Sequence, residues 1–253
     1  MKASGNTILL TGGSSGIGRA LAQRWHDAGN SVIITGRRRD MLAETAKGRP
    51  GIKICELDVA DAATLDARLG EILASNPAIN VLVNNAGVYS AENPRRRRDL
   101  KPAEQMVETN LLAPIRITNA LIDHLSAQAN AAIVNVSSGI GFVPYPAAPT
   151  YSATKAALHS YTAALRPLLK GKVEVIEIIP PQVQTELTPG QSQDPNSMPL
   201  YDFADEVMTL LHHEDDSSPA EICVERVRQF RDAERAGRFD EILDMMARYT
   251  PDH

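Results

Sequence analysis

A tyrosine and a lysine four residues apart, Tyr151 and Lys155, are the pair of side chains best suited to acid–base chemistry. On a helix, residues at this spacing share one face, so the phenol and the ammonium are expected to lie side by side. A free tyrosine has a pKa of about 10, and a positive neighbour favours the phenolate. We therefore expect the pKa of Tyr151 to be lowered, which suits a general acid or base. The spacing alone is weak evidence, because a surface pair would show it too.

Three further polar signals precede this pair. Ser138 lies two residues after the apolar run Ile133–Val136, the motif Asn84–Gly87 begins at the end of the run Val81–Val83, and Asn110 falls within a helical stretch. Ligands of open α/β sheets bind at the carboxyl ends of the strands. We therefore expect Ser138 and the asparagine motif to meet the tyrosine and lysine at one edge of a sheet.

The elements that must position these residues alternate along the chain. Short runs rich in Ile, Val and Leu are typical of strands buried on both faces, and the amphipathic stretches between them are typical of helices. The strand-like runs are Ile8–Thr11, Val32–Thr35, Ile52–Leu57, Val81–Val83, Ile133–Val136, Val173–Ile179 and Glu221–Val224. The helical stretches are Gly16–Ala28 and about 61–75, 102–126 and 151–170. This order predicts an α/β fold with a doubly wound parallel sheet of about seven strands and helices on both faces.

A glycine-rich turn, Thr11–Gly18, joins the first strand to the first helix. Glycines allow a tight turn and close approach of the backbone to a pyrophosphate, which the N-terminus of the helix then faces. A glycine cluster by itself can be a simple turn, but its place between strand and helix favours dinucleotide binding. The residues expected to contact the dinucleotide here are Gly12, Ser14, Ser15, Gly16, Ile17 and Gly18.

The end of the second strand predicts which dinucleotide binds. NAD-selecting sites place an acid there for the ribose 2′-hydroxyl, whereas arginine suits a 2′-phosphate. Gly36 stands where the acid would be, and Arg37 and Arg38 follow it. Since a guanidinium matches a phosphate with two hydrogen bonds, NADP(H) is the preferred cofactor. NAD(H) stays possible because Asp40 lies a few residues on, and a solvated arginine loop is the alternative without function.

Together these motifs resemble the short-chain dehydrogenase/reductase family over about residues 6–185. The residues that carry the resemblance are the glycine turn TGxxxGxG, Asp58, Asn84–Gly87, Asn110, Ser138, Tyr151 and Lys155. The resemblance implies a single Rossmann-type domain over residues 1–253. It also implies hydride transfer between a nicotinamide and a carbonyl or secondary alcohol, with Tyr151 as general acid or base. An oxidised nicotinamide would be a second positive neighbour of the phenol.

The family resemblance also implies the other roles. Ser138 would hydrogen-bond the substrate oxygen, Lys155 would also bind the nicotinamide ribose, and Asn110 would hold a water that links Lys155 to solvent. Further cofactor contacts would come from Asp58 and Val59 at the adenine and from Asn85, Ala86 and Gly87 at its ribose. A helix N-cap at Asp58 or Asp61 is the structural alternative.

The segment Pro180–Thr185 departs from the family pattern PGxVxT, since Pro181 replaces the glycine and lacks a backbone donor. Pro181, Val183 and Thr185 are still expected at the cofactor, Thr185 at the carboxamide. The Pro-Pro-x-Val-x-Thr segment resembles DltE-like bacterial oxidoreductases, a subset of the family. A variable loop at about 186–200 is expected to choose the substrate. A charged helical tail at about 225–253 is expected to pack over the cleft or at a subunit interface.

Composition excludes several classes of function. The 253 residues carry 26 basic and 31 acidic groups, a net charge of −5, which argues against a broad nucleic-acid face. No apolar run approaches the ~20 residues of a membrane span. Two distant cysteines, Cys55 and Cys223, and no signal-like start favour a reducing, cytoplasmic location. The histidines do not have the spacing of metal ligands, so no metal site is expected. The run Arg95–Arg98 is expected to be a solvated loop rather than an anion site.

Two functions of different class therefore compete. The first is an NADP(H)-dependent oxidoreductase acting on a small-molecule carbonyl or alcohol. The second is a non-catalytic dinucleotide-binding redox sensor on the same fold. The joint presence of Ser138, Tyr151 and Lys155 favours the enzyme, and a dehydratase or epimerase on the related extended scaffold is a weaker third. By family resemblance, a homodimer or homotetramer is expected through the helices at about 102–126 and 151–170.

Overall fold

Within the described residues, seven parallel strands form one sheet in the order β3-β2-β1-β4-β5-β6-β7. The computed structural model describes residues 1–211 and 219–248, so the last five residues of the expected tail lie outside the described part. The strands are β1 Thr7–Thr11, β2 Ser31–Gly36, β3 Ile52–Glu56, β4 Val81–Asn84, β5 Ala131–Val136, β6 Val173–Ile179 and β7 Glu221–Cys223. Each lies within a residue or two of the predicted run, and the predicted Rossmann-type fold is confirmed.

Helices cover both faces of the sheet. They are α1 Gly16–Asp27, α2 Arg39–Ala46, α3 Ala62–Ser75, α4 Lys101–Val107, α5 Ala113–Ser126, α6 Pro149–Leu169, α7 Leu200–Leu211, α8 Arg228–Arg231 and α9 Phe239–Arg248. Helices α1 and α7 pack on one face, and α3 and α5 on the other. Helices α2 and α7 were not predicted from the sequence.

The two central strands explain why the apolar runs are nearly continuous. Every residue of β4 and β5 is buried, because helices lie on both faces. In β1, Ile8 and Leu10 point to the α1 face while Leu9 points to the α3 face, as the alternation of side chains along a strand requires. Trp25 of α1 and Phe203 of α7 are fully buried anchors of the first face.

The strand order reverses beside β1, which lies between β2 and β4. The connections leaving the carboxyl ends of β1 and β4 turn to opposite sides of the sheet, and a crevice opens between them. The glycine turn follows β1, and Asn84–Gly87 follows β4. The fold therefore brings both motifs to the place where this architecture binds ligands.

The predicted helical stretch 102–126 is interrupted. A π-helical turn, Glu108–Leu112, separates α4 from α5 and contains Asn110. In a regular helix, the N–H of residue 114 would donate to the carbonyl of Asn110, but Pro114 has no N–H. The widened turn therefore falls where the sequence removes a helical hydrogen bond, as is frequent at functional positions.

Candidate active site

Tyr151 and Lys155 lie on one face of α6, against the end of β5. Both are buried, with 7% of Tyr151 and 4% of Lys155 exposed. Lys155 Nζ donates to the carbonyl oxygen of Val136 at 2.8 Å, and it lies 5.6 Å from the centre of the Tyr151 ring. The predicted side-by-side arrangement of phenol and ammonium is therefore present.

The pKa of Tyr151 is opposite in direction to the expectation. Burial raises the pKa of the phenol above its ordinary value, and the nearby Tyr89 adds to the rise. Burial also lowers the pKa of Lys155 to about 8, with Glu177 opposing that change. The part of the expectation that rests on Lys155 is wrong, because the loss of solvent around the phenol outweighs an ammonium at this distance; the contribution expected from an oxidised nicotinamide stays a prediction.

Ser138 stands at the start of a single 3₁₀ turn, Gly139–Gly141, that follows β5. Its Oγ accepts a hydrogen bond from the N–H of Ile140 at 3.5 Å. The turn packs tightly on α6, because a methyl carbon built on Gly141 would lie 3.0 Å from the carbonyl carbon of Lys155. Ile140 also belongs to the apolar cluster that contains Tyr151. Ser138 is thus held at the part of α6 that carries the tyrosine and the lysine.

Asn110 fixes the chain that follows β4. Its buried side chain accepts from the N–H of Val88 and donates to the carbonyl of Val88, both at 2.9 Å, and donates to the Thr154 hydroxyl at 3.3 Å. A methyl carbon built on Gly87 would lie 3.5 Å from Asn110 Oδ1 and 3.8 Å from Lys155 Nζ. The asparagine motif after β4 therefore reaches the buried lysine.

The glycine turn packs directly on this motif. Thr11 Oγ1 accepts from the N–H groups of Asn85 and Ala86 at 3.0 and 3.1 Å, and Asn85 Nδ2 donates to the carbonyl of Gly12 at 3.1 Å. Gly12 has a φ of +71°, and a methyl carbon there would lie 2.8 Å from Ala86 Cα. At Gly18 the same carbon would lie 2.3 Å from the Gly12 carbonyl oxygen. Both positions therefore require glycine.

The start of α1 is open toward the arginines after β2. Ser15 is the N-cap residue of α1, but within the described residues its side chain makes no capping hydrogen bond. Arg38 Nη2 donates to Ser15 Oγ at 3.4 Å, and Arg37 is exposed beside it. Ser14 packs against Gly36, whose methyl carbon, if built, would lie 3.6 Å from Ser14 Oγ. Positive charge therefore stands next to the free N–H groups of a helix, an arrangement suited to phosphate.

Two aspartates follow β3, and the sequence left open which of them caps the next helix and which is available to the adenine. Asp61 caps α3, since its carboxylate accepts from the N–H of Ala63 at 3.2 Å and from the Thr64 hydroxyl at 2.6 Å. Asp58 is exposed and accepts only a local bond from the N–H of Ala60 at 3.1 Å, while Val59 is buried. The N-cap alternative therefore belongs to Asp61, which leaves the exposed carboxylate of Asp58 outside the capping of α3.

The segment Pro180–Thr185 after β6 packs against both the Ser138 turn and the glycine turn. The carbonyl of Pro180 accepts from the N–H of Gly139 at 2.9 Å, beside Ser138. Thr185 is buried, and its Cγ2 would lie 3.3 Å from a methyl carbon built on Gly16. Pro181 is half-buried between them. The buried Val183 forms a parallel bridge with Met198, which closes the variable loop at 186–200 back on itself.

Two residues that were missed from the sequence lie at the start of α6, where Tyr89 contacts Tyr151 and Glu92 contacts Thr150. The ring of Tyr89 meets the Tyr151 ring edge-on with centroids 5.2 Å apart, and burial raises the pKa of Tyr89 to about 12. The side chain of Glu92 is only 2% exposed and forms an ion pair with Arg98 at 2.6 Å. The expectation of a solvated loop is therefore wrong for Arg98. Both residues follow Asn84–Gly87 closely, but Tyr151, which Tyr89 contacts, and Thr150, which Glu92 contacts, are distant in the sequence.

The C-terminal tail packs on the turn that begins at Ser138. A methyl carbon on Gly139 would lie 2.5 Å from Val227 Cγ2. Val143, which follows the turn, is fully buried with Ala233 and Ile242 of the tail. The described part of the tail thus packs against the segment that follows Ser138 in the same chain.

One group of metal-ligating side chains comes together among the described residues. His159, Glu177 and Glu221 each place one ligand atom within 4.8 Å of the others. Both carboxylates already have cationic partners: Arg166 lies 3.5 Å from Glu177 and 3.6 Å from Glu221, and Arg231 forms two hydrogen bonds to Glu221. These guanidiniums balance the charge that would attract a cation, so we assign no metal here.

In the same described part, no helix combines the length and apolar character needed to cross a bilayer.

Known proteins resemble the chain over most of its length. A family model described as short chain dehydrogenase matches residues 6–196. A Bacillus subtilis (strain 168) protein, named uncharacterized oxidoreductase DltE, is 39% identical over 249 residues, 97% of this chain and 98% of DltE. Sulfoacetaldehyde reductase 2 of Chromohalobacter salexigens is 37% identical over 186 residues, 72% of this chain and 74% of that reductase. The resemblance to DltE-like oxidoreductases is confirmed.

Solved structures agree on the fold. A short chain dehydrogenase from Burkholderia cenocepacia J2315, in complex with NADP, matches with a TM-score of 0.81 at 22% identity, over 99% of this chain and 100% of that one. The closed form of a serine dehydrogenase complexed with NADP+ matches with a TM-score of 0.75 at 28% identity, over 85% and 92%. With the family-model match and the full-length relative, these findings show that the chain belongs to the short chain dehydrogenase family.

Proposed function

We propose that this protein is an NADP(H)-dependent oxidoreductase that transfers hydride between the nicotinamide and a carbonyl or secondary alcohol, with Tyr151 as general acid or base. The observation that carries the proposal is the buried Tyr151–Lys155 pair, which meets the strand-end motif at Gly87. That motif packs on the glycine turn through Thr11 and Asn85. A proton-transfer group and a dinucleotide cradle thus share one crevice.

The residues present fit a phosphorylated dinucleotide. Gly12 and Gly18 bring the backbone so close to its neighbours that a methyl group would clash, which is the packing that a pyrophosphate turn needs. Arg38 reaches the Ser15 hydroxyl at the open start of α1, where a 2′-phosphate could also be held. The NADP+ complex of the related serine dehydrogenase supports this choice. NAD(H) would use the same cradle without the arginine contact.

When bound, the nicotinamide supplies or accepts the hydride. In the reducing direction, Tyr151 donates its proton to the substrate oxygen, and the raised pKa of the phenol keeps that proton in place at neutral pH. Ser138 donates a hydrogen bond to the same oxygen and stabilises the charge that develops there. With a pKa of about 8, Lys155 is mostly protonated at pH 7 and stabilises the phenolate that remains.

After each reduction the Tyr151 phenolate would take a proton back from Lys155, and Lys155 would regain its own through the π-helical turn. Because Pro114 cannot donate to the carbonyl of Asn110, that oxygen is a candidate acceptor for a water leading from Lys155 to solvent. The Asn110 side chain holds Val88 and Thr154 and so fixes the turn beside the lysine. The remaining adenine-side contacts are assigned to Asp58, Val59, Asn85 and Ala86, and the carboxamide contact to Thr185.

The substrate is assigned to a small carbonyl or alcohol compound. The wall around Tyr151 is apolar and aromatic, and the residues that form it are Val88, Tyr89, Met106, Ile140 and Tyr145. Association into a homodimer or homotetramer through α4, α5 and α6 is part of the proposal, and Leu168 of α6 is 78% exposed. Size-exclusion chromatography with light scattering tests the association directly.

NADPH oxidation against a panel of aldehydes, ketones and keto acids tests the function. We expect turnover with wild type and a loss of about 10²–10⁴-fold in kcat for Tyr151→Phe, the range of general acid–base catalysis. Tyr161→Phe, on the same helix, is the matched control and should stay within about twofold of wild type. NADPH binding with no turnover on any member of the panel would instead favour the redox sensor.

A further inference from the structure

A buried carboxylate occupies the start of α6, one residue before Tyr151. Glu92 accepts from the Thr150 N–H at 2.7 Å and from the Thr150 hydroxyl at 2.9 Å. Arg98 Nη2 donates to the same carboxylate at 2.6 Å. Burial alone would raise the pKa of Glu92, but the bonds from Arg98 and Thr150 outweigh it and hold the pKa below its usual value. The carboxylate is therefore charged at neutral pH.

Helix α6 relies on the Glu92 carboxylate because the residues at its own N-terminus provide no capping side chain. Ala148 holds the N-cap position and has no side-chain acceptor, and Pro149 at the first helical position has no N–H. The first backbone donor of α6 is thus Thr150, and Glu92 accepts from it across 58 positions of sequence. A negative charge at a helix N-terminus also interacts favourably with the helix dipole.

Glu92 also holds the wall on the other side of Tyr151. Its N–H donates to the carbonyl of Ala147 at 2.7 Å, so backbone and side chain both attach the loop to the start of α6. Three residues earlier in that loop, Tyr89 places its ring edge-on against Tyr151. A change of the Glu92 side chain would therefore loosen the helix turn that carries the phenol and, through the loop, the ring that packs on it, although the backbone bond to Ala147 stays.

We propose that Glu92, paired with Arg98, is a positioning residue for proton transfer by Tyr151: it anchors the first turn of α6 and holds Tyr89 against the phenol. The proposal rests on the proposed oxidoreductase function. Glu92 does not touch the reacting atoms in this scheme and acts through Thr150 and Tyr89. Arg98, which is paired with Glu92 at 2.6 Å, keeps the carboxylate charged and oriented.

The kinetic test uses variants that keep size and remove charge. Glu92→Gln retains an acceptor for the Thr150 N–H but no longer attracts Arg98, and Arg98→Met removes the partner. We expect kcat for NADPH-dependent carbonyl reduction to fall roughly ten- to hundredfold in both, because a misplacement near 1 Å has effects of that size. KM for NADPH should stay within about twofold. Arg98→Lys should recover part of the loss.

The controls come from exposed residues of the same region. Arg96→Met removes an exposed charge from the same run, and Glu104→Gln does so in the first turn of α4. Both should behave as wild type. The solvent deuterium isotope effect on kcat should rise in Glu92→Gln, since proton transfer becomes slower there. A purely structural anchor would lower the melting temperature and leave kcat and the isotope effect unchanged, which would overturn the proposal.

Hydrogen exchange provides a readout independent of turnover. In the NADPH-bound protein, Glu92→Gln should speed exchange at least tenfold in peptides covering 88–92 and 149–153, while β1 keeps its wild-type rate. Unchanged exchange in both peptides would also overturn the proposal. Tyr151→Phe, measured in parallel, separates the two ideas. If that variant loses turnover while Glu92→Gln does not, only the positioning role fails; if it keeps full turnover, the proposed acid–base function fails.

Discussion

Gly18→Ala tests the close packing of the glycine turn. The added methyl carbon would lie 2.3 Å from the carbonyl oxygen of Gly12 and 2.5 Å from Asn85 Nδ2. Those two atoms are hydrogen-bonded to each other at 3.1 Å, so neither can move without losing the bond. Overpacking costs about 1–3 kcal/mol and the lost bond about 1 kcal/mol, against a gain of about 1 kcal/mol from the helix propensity of alanine.

The balance is a destabilisation of about 1–3 kcal/mol. For a protein of this size, each kcal/mol shifts the melting temperature by about 2–4 °C, so we expect a fall of roughly 2–12 °C. NADPH binding, measured by calorimetric titration, should weaken at least tenfold because the turn that receives the pyrophosphate is displaced.

Gly70→Ala is the matched control, since Gly70 also lies within a helix, α3. No atom of the described residues, apart from its own helix and chain neighbours, comes within 4 Å of the methyl carbon there. This variant should gain about 0.5–1 kcal/mol and bind NADPH as wild type does. If Gly18→Ala is stabilised to the same degree and keeps its affinity, the steric reasoning about the turn is refuted.

Three further outcomes are expected. The double variant Arg37→Ala/Arg38→Ala should weaken NADPH binding at least tenfold and NADH binding less than twofold in the same titration; equal losses would contradict 2′-phosphate recognition. Lys155→Met should be more stable than wild type at pH 7 in urea unfolding. Burying the Lys155 ammonium destabilises the wild type fully below pH about 8, and this destabilisation disappears as the pH rises toward 10.5. The difference in unfolding free energy between Lys155→Met and wild type should therefore shrink over that pH range. A difference that grows with pH would contradict the lowered pKa of Lys155. Ile242→Ala should lose about 2–4 kcal/mol by calorimetry because it opens a cavity against Val143, whereas Leu187→Ala at an exposed position of the variable loop should be neutral; equal effects would contradict the docked tail.

Local patterns made much of the fold predictable. The runs that became β1 to β7 are apolar because helices cover both faces of the sheet, and Gly29 ends the first helix with a φ of +91°. The tyrosine and lysine of α6 could be placed together because their contact follows from helix geometry alone. The turn Thr11–Gly18 could be predicted to bind a dinucleotide because a strand precedes it and a helix follows it directly.

The features that were missed depend on distant contacts. Glu92 is an ordinary acid in the sequence, and only the fold brings it to Thr150. The pKa of Tyr151 follows from burial, which the spacing to Lys155 does not report. The π-helical turn had a local signal, the missing N–H of Pro114, but one proline near a helix start is also compatible with an ordinary first turn.

A crystal structure of the protein with NADP+ bound tests most directly whether Tyr151 passes the proton. We expect the hydroxyls of Tyr151 and Ser138 to converge, within about 3 Å, on one point beside C4 of the nicotinamide, where a substrate oxygen would sit. The Arg38 guanidinium should lie against the 2′-phosphate. A nicotinamide ring bound away from α6, with the Tyr151 hydroxyl pointing elsewhere, would contradict the oxidoreductase mechanism.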